Sequence, residues 1–228
     1  MNNVIRICAA LCAGLLIAGC AGGGKEESSN PTDIHYSGYL GDYKGLEKVK
    51  TESGAEAARW VNPKLKKGQY TKIIVDPIVF YPAPQPGPNV TIQALYEIVA
   101  YSNKAEKREV SKVMKLVDRA GPGVLRLRVA MTGVKKQKEG MSALNYTPIG
   151  LLFVGAQEAT GTRPEEGVIV WEGELIDSET GERMAMGVRK QEVKKKLEAG
   201  QKLTLDLMKP AIDKGAETLR EIIARNVK

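Results

Sequence analysis

The chain has 228 residues, with 34 lysines and arginines against 27 aspartates and glutamates and a formal net charge of +7. One histidine and three cysteines leave almost nothing for an imidazole–thiolate zinc site. A serine–histidine or cysteine–histidine catalytic pair would have to use His35. The densest lysine clusters, at 135–136 and 194–196, are short and read as solvated faces, so no nucleic-acid partner is expected.

In chain order the first element is an export signal. Met1 and Arg6 give a short positive start, Ile7 to Ile17 an apolar core, and Ala18-Gly19 a small-residue exit. The apolar core is about half of the ~20 residues a membrane-spanning helix needs. Residues 1–19 therefore read as a signal peptide. The sequence Leu16-Ile17-Ala18-Gly19-Cys20 resembles the lipobox of bacterial lipoproteins, with Ile17 where leucine is commoner. That resemblance implies cleavage between Gly19 and Cys20, diacylglycerol on the Cys20 thiol and acylation of the freed amine. An ordinary secretory signal with an incidental cysteine is the alternative. Burial of acyl chains is worth ~0.8 kcal/mol per methylene, so two or three chains hold firmly. Ala21, in place of aspartate, implies sorting to the outer membrane, with the domain facing the periplasm and the bilayer as a partner through the lipid.

Removing the first 19 of 228 residues leaves 209, enough for one ordinary domain. Cys8 and Cys12 leave with the signal, so no disulfide is expected, and no cofactor beyond the covalent lipid. Residues 20–33 read as a lipidated flexible tether with a reach of ~20 Å, and residues 34–228 as a single α/β domain. SGYLGDYKGL, from Ser37, reads as an irregular segment on the domain edge. Tyr70 to Phe80 is the first clear strand, apolar on both faces, with Pro77 marking a bulge or the end of pairing. The proline-rich stretch after it is a stiff loop.

Residues 91–114 read as a helix, with Ile92, Leu95, Tyr96, Val99, Ser102, Val110 and Val113 near one face. After a turn at 120–123, Leu125, Leu127, Val129 and Met131 alternate with Arg126 and Arg128, which is a half-buried strand. Residues 168–176 and 182–190 form a hairpin around Asp177 to Gly181. On its arms Ile169, Trp171 and Leu175 share one face, as do Met184, Met186 and Val188. Glu172, Glu174, Arg183 and Arg189 are expected opposite, as a charge ladder on a solvent-facing side. Leu205 to Asn226 is a second amphipathic helix, kinked or delayed by Pro210. Between strand and hairpin, residues 148–156 are apolar nearly all round. There Ile149, Leu151, Leu152 and Phe153 are the candidate partner contacts.

The pattern predicts an α+β two-layer sandwich: a mixed or antiparallel sheet with helices on one face, in the order β-α-β-β-β-α. SGYL (37–40), the tyrosine-led VDP strand (70–77), AGPGVLRLRVAMT (120–132) and the D-x-x-T-G-E hairpin (177–182) resemble an uncharacterised family of Gram-negative lipoproteins, domain-of-unknown-function family 3313. The hairpin and strand order are more loosely similar to periplasmic domains of curli-secretion and TolB-amino-terminal type. That similarity implies assembly or transport roles by fold analogy alone.

The sequence presents no catalytic set and no metal-ligand set. The expectation is a non-enzymatic envelope lipoprotein that binds or scaffolds other components. A module binding a small molecule or lipid between sheet and helices is the alternative. A glycan hydrolase using two carboxylates is the third reading, although Glu172 and Glu174 beside Arg126 and Arg128 read better as a salt ladder. Asp177, Glu179 and Glu182 lack the spacing of a calcium loop.

Overall fold

A computed structural model describes residues 36–50, 56–84, 86–87, 90–138, 165–198 and 201–228. The chain divides into two units, residues 1–30 and 31–228. The first lies wholly outside the described residues, and the second carries the fold.

Strands β1 (Glu47–Lys50), β2 (Glu56–Val61), β3 (Lys72–Val75) and β4 (Val79–Phe80) precede helix α1 (Ile92–Val110). Then follow β5 (Lys115–Leu116), β6 (Val124–Lys138), β7 (Glu165–Asp177), β8 (Arg183–Leu197) and helix α2 (Leu205–Asn226). They form one mixed sheet in the order β1-β2-β8-β7-β6-β3-β5, with β4 also beside β6. Strands β3 and β4 run parallel to β6, separated by Asp76-Pro77-Ile78, where the ladder breaks. Both helices cover one face. The predicted α+β sandwich is the observed architecture. Among the described residues no helix is long and apolar enough to cross a membrane.

The hairpin forms because Asp177 fixes its turn. Its Oδ1 accepts the amides of Glu179 and Thr180, both at 2.9 Å, and Gly181 takes φ +72°. Helix α1 starts where Thr91 accepts the Ala94 amide at 3.1 Å. Helix α2 absorbs Pro210 inside its span, near the amino end. The main core joins Leu125, Leu127, Val129 and Met131 of β6 to Ile169, Trp171 and Leu175 of β7 and to both helices.

Four expectations change. Helix α1 buries Ala94, Leu95, Ile98, Ser102, Ala105, Glu106, Glu109 and Val110, while Ile92 and Tyr96 stay exposed. Its inward face is thus rotated from the predicted stripe: Glu109 is drawn in by Arg220 of α2, and Glu106 is buried beside it. Second, Ile176 pairs with Arg183 and Leu175 with Ala185, leaving Met184 as an extra residue on β8. Met184 joins the helix-side core, whereas Met186 and Val188 pack on the other face. The same slip leaves Arg183 beside Glu174 and turns Arg189, cross-strand partner of Trp171, toward the helices.

Third, the face expected to meet solvent is covered. Residues 36–46 lie over it, with Leu40 buried among Val168, Val170, Met186 and Val188, and with tyrosines 36, 39 and 43 around it. Glu172, 1% exposed, accepts the Ser37 amide at 2.8 Å and the Tyr43 hydroxyl at 2.6 Å. Glu174 is held by Arg128 at 2.8 Å and Arg183 at 2.7 Å. Fourth, Glu47–Lys50 and Glu56–Val61 supply two further strands, β1 and β2, which extend the sheet beyond β8. Gly45 makes this layer close: at φ +85°, a Cβ there would lie 2.8 Å from Trp60.

Candidate functional site

On the helix side the sheet is wider than the two helices that cover it. Register places Ala57, Arg59 and Val61 of β2 on that face, beside Arg189, Gly187 and Ala185 of β8. Gly187 in turn opposes Gly173 of β7. Two adjacent glycines leave the floor without side chains, and a cavity of about 550 Å³ opens beneath α2. Its walls include Leu127, Val129, Leu175, Ile212, Leu219 and Ile222. The volume falls within the ~300–1,000 Å³ usual for small-molecule sites.

One end of this apolar space is polar. Arg189 is half-buried and opens onto the cavity; its Nη1 donates to the Gly215 carbonyl at 2.7 Å. Burial pulls its pKa down to about 10, with Glu106 acting in the opposite sense, so it stays cationic at neutral pH. Glu106, on α1, is 5% exposed, and its Oε1 has no hydrogen-bond partner. Burial pushes its carboxyl up to about 8, against the pull of Arg189 and Lys107. It is therefore mainly protonated at pH 7. The Trp171 Nε1 is likewise buried without a partner. A Cβ on Gly215 would stand 3.3 Å from Arg189 Nη2 and 4.0 Å from Trp171 Nε1, so both donors reach the same spot on α2.

One turn along α1, Glu109 has the opposite environment. It accepts from Lys112 at 2.6 Å, Arg220 at 3.1 Å and Arg108 at 3.2 Å, and the Lys112 bond leads in holding its pKa down. Glu109 ties the two helices together; Glu106 is the carboxyl left over. An unpartnered buried carboxyl beside a cavity is the commoner mark of a binding site.

The residues singled out in the sequence fall elsewhere. Gly19, Cys20, His35, Ile149, Leu151, Leu152 and Phe153 all lie outside the described residues. The carboxylates of Glu172 and Glu174 are occupied as described, although Glu174 is also one of the residues bordering the cavity. Asp177 accepts the Tyr70 hydroxyl at 2.8 Å, and Glu182 pairs with Lys64 at 2.9 Å. Among the described residues no cluster of three or more His, Cys, Asp or Glu is placed to hold a metal ion. Sequence pattern does not mark Glu106 and Arg189 as a site. The one signal for Glu106 is its place in the 95–98–102–105/106–109 row, where a charge interrupts core spacing.

The pattern of the family described as "Protein of unknown function (DUF3313)" matches residues 35–219. The uncharacterised lipoprotein YdcL of Escherichia coli K12 is 34% identical over 205 residues, 90% of either chain. The same protein in strain O157:H7 gives the same figures. Among solved structures, a PelC dodecamer from Paraburkholderia phytofirmans is 12% identical, covering 72% of this chain and 96% of its own, at a TM-score of 0.37. A Leu-to-Met variant of PelC gives 13% and 0.36. Likeness at that level carries no information about activity.

Proposed function

The chain belongs to the DUF3313 family, and from that premise we propose that it is a lipid-anchored envelope lipoprotein that acts by binding a small, largely apolar ligand between sheet and helices. The cavity under α2, apolar over much of its lining and with Arg189 at one end, carries this reading. The lipobox ending at Cys20 and the lipoprotein relative support membrane attachment, and Ala21 favours the outer membrane. Binding without catalysis fits a cavity in which the Glu106 carboxyl is held mainly protonated and the Glu174 carboxylate is already paired with Arg128 and Arg183. Besides the covalent lipid, the reading needs no cofactor. Its partners are the bilayer and the ligand, and residues 149–153 remain the candidate contact for an envelope protein.

Native mass spectrometry of the lipoprotein, extracted from membranes in a non-ionic detergent, tests the proposal. A stoichiometric small-molecule adduct is expected, lost when Gly187→Leu fills the floor. A protein that is empty in every preparation would overturn it and leave partner scaffolding as the better account.

A further inference from the structure

The cavity is long as well as largely apolar. Its lining on α2 runs from Ile212 to Asn226, about 21 Å at helical rise, and on β8 from Ala185 to Arg189, about 14 Å at strand rise. Helix and strand run so that Gly215 lies over Arg189 at one end. Toward the other end Leu175, Ala185, Leu219 and Ile222 form an apolar stretch, and Glu221, Arg225 and Asn226 border it. A compact polar metabolite would leave that length empty, and a plain hydrocarbon would leave Arg189 buried against it with no counter-charge. Burying a cation without an anionic partner is costly.

Resting on the ligand-binding reading above, we infer that the occupant is a single-chain amphiphile with an anionic head. Its carboxylate or phosphate oxygens sit against the Arg189 guanidinium near Gly215, and its alkyl chain lies along α2 toward Leu219 and Ile222. The protonated Glu106 carboxyl stands behind that head as a neutral hydrogen-bond donor, and Trp171 Nε1 supplies a second donor at the same place. The charged groups facing Glu106 are Arg189 from β8 and Lys107 on its own helix. Arg59 of β2, Glu174 of β7 and Lys214, Glu221 and Arg225 of α2 line the same cavity. Cations outnumber acids in that set, which is the sign an anion needs. Once Glu106 ionises it competes for Arg189 and repels the head, so affinity falls as pH rises through about 8.

The test uses the full chain in phosphatidylcholine nanodiscs, read by Trp171 fluorescence in a Trp60→Phe background, since the chain has only these two tryptophans. Probes are decanoate, decyl phosphate, decanol, decyltrimethylammonium and inorganic phosphate, each corrected against empty nanodiscs. Decanoate and decyl phosphate should bind about ten-fold or more tighter than decanol, as a charge-assisted contact requires. Arg189→Gln should erase that preference while leaving decanol unchanged, and Arg189→Lys should restore part of it. If Arg189→Gln does not fold, Glu106→Gln decides: decanoate affinity should become flat from pH 6 to 9, where the parent declines. Equal binding of all three neutral and anionic chains, or tightest binding of the ammonium, overturns the anionic head while the cavity reading stands. Inorganic phosphate bound as well as decyl phosphate overturns the chain. Failure of every probe to bind overturns the cavity reading itself, and the amphiphile with it.

Discussion

Glu106 and Glu109 lie on the same buried face of one helix and titrate in opposite directions, which makes their effects on stability separable. For Glu106 the folded pKa is raised to about 8, above the unfolded value near 4.5. Between those limits the unfolded chain sheds a proton that the folded chain keeps, so stability declines by about 1.4 kcal/mol per pH unit as pH rises. Glu106→Gln removes that decline. Urea melts at pH 5, 6, 7 and 8 should show the variant near parity at pH 5 and progressively more stable than the parent toward pH 8. Parallel curves would mean that Glu106 is ionised in the fold. Glu109 is the reverse case: its pKa is held down, so its contribution is present above the usual carboxylate range and lost in acid. Glu109→Gln should therefore be destabilising at pH 7, with a deficit that shrinks as pH falls through that range. The same melts report it.

At the scale of elements, the N-terminal segment and the sheet back are held by one polar post. Tyr43 Oη donates to Glu172 and also accepts the amides of Gly38 at 2.7 Å and Leu40 at 3.2 Å. Desolvation and Glu172 push the Tyr43 pKa up to about 12, so the hydroxyl stays a donor under all ordinary conditions. Tyr43→Phe keeps the ring stacked on Tyr36, at 4.2 Å between centroids, but strips Glu172 of a partner. A buried oxygen left unpaired costs about 1–3 kcal/mol. The expected result is a lower denaturation midpoint with earlier proteolytic cleavage within residues 36–46; an unchanged midpoint would show that water replaces the hydroxyl. This layer also marks the limit of what local pattern reveals. Alternation identifies β6, the hairpin and α2, because each of those faces is set by its own spacing. Pattern does not show that a tyrosine-rich segment from far upstream covers Glu172 and Glu174. A one-residue bulge at Met184 has no composition of its own, yet it decides that Arg189 looks toward the helices. The polar end of the cavity is thus illegible in the sequence for a physical reason: it arises from a register shift and from contact between two helices distant along the chain.

For the molecule as a whole, attachment and ligand are separate properties. On the proposed reading, attachment rests on Cys20 alone. Cys20→Ser should abolish metabolic labelling with palmitate and move the protein out of the membrane fraction, because the loss of two or three chains at ~0.8 kcal/mol per methylene removes the anchor. Persistent labelling would place the lipid elsewhere. The cavity should be indifferent to this change.

The space beneath α2 has one further consequence. Any ligand that enters only the folded chain adds RT ln(1 + [L]/Kd) to its stability, about 2.7 kcal/mol at a hundred-fold excess over Kd. If the proposed ligand binds, the empty protein, with its half-buried Arg189 and unpartnered Glu106 carboxyl, would be the form that opens more often. Where open chains are degraded, the steady-state amount of the protein would follow the supply of its ligand. Cells could then read ligand supply as protein abundance, with no transcriptional circuit between them.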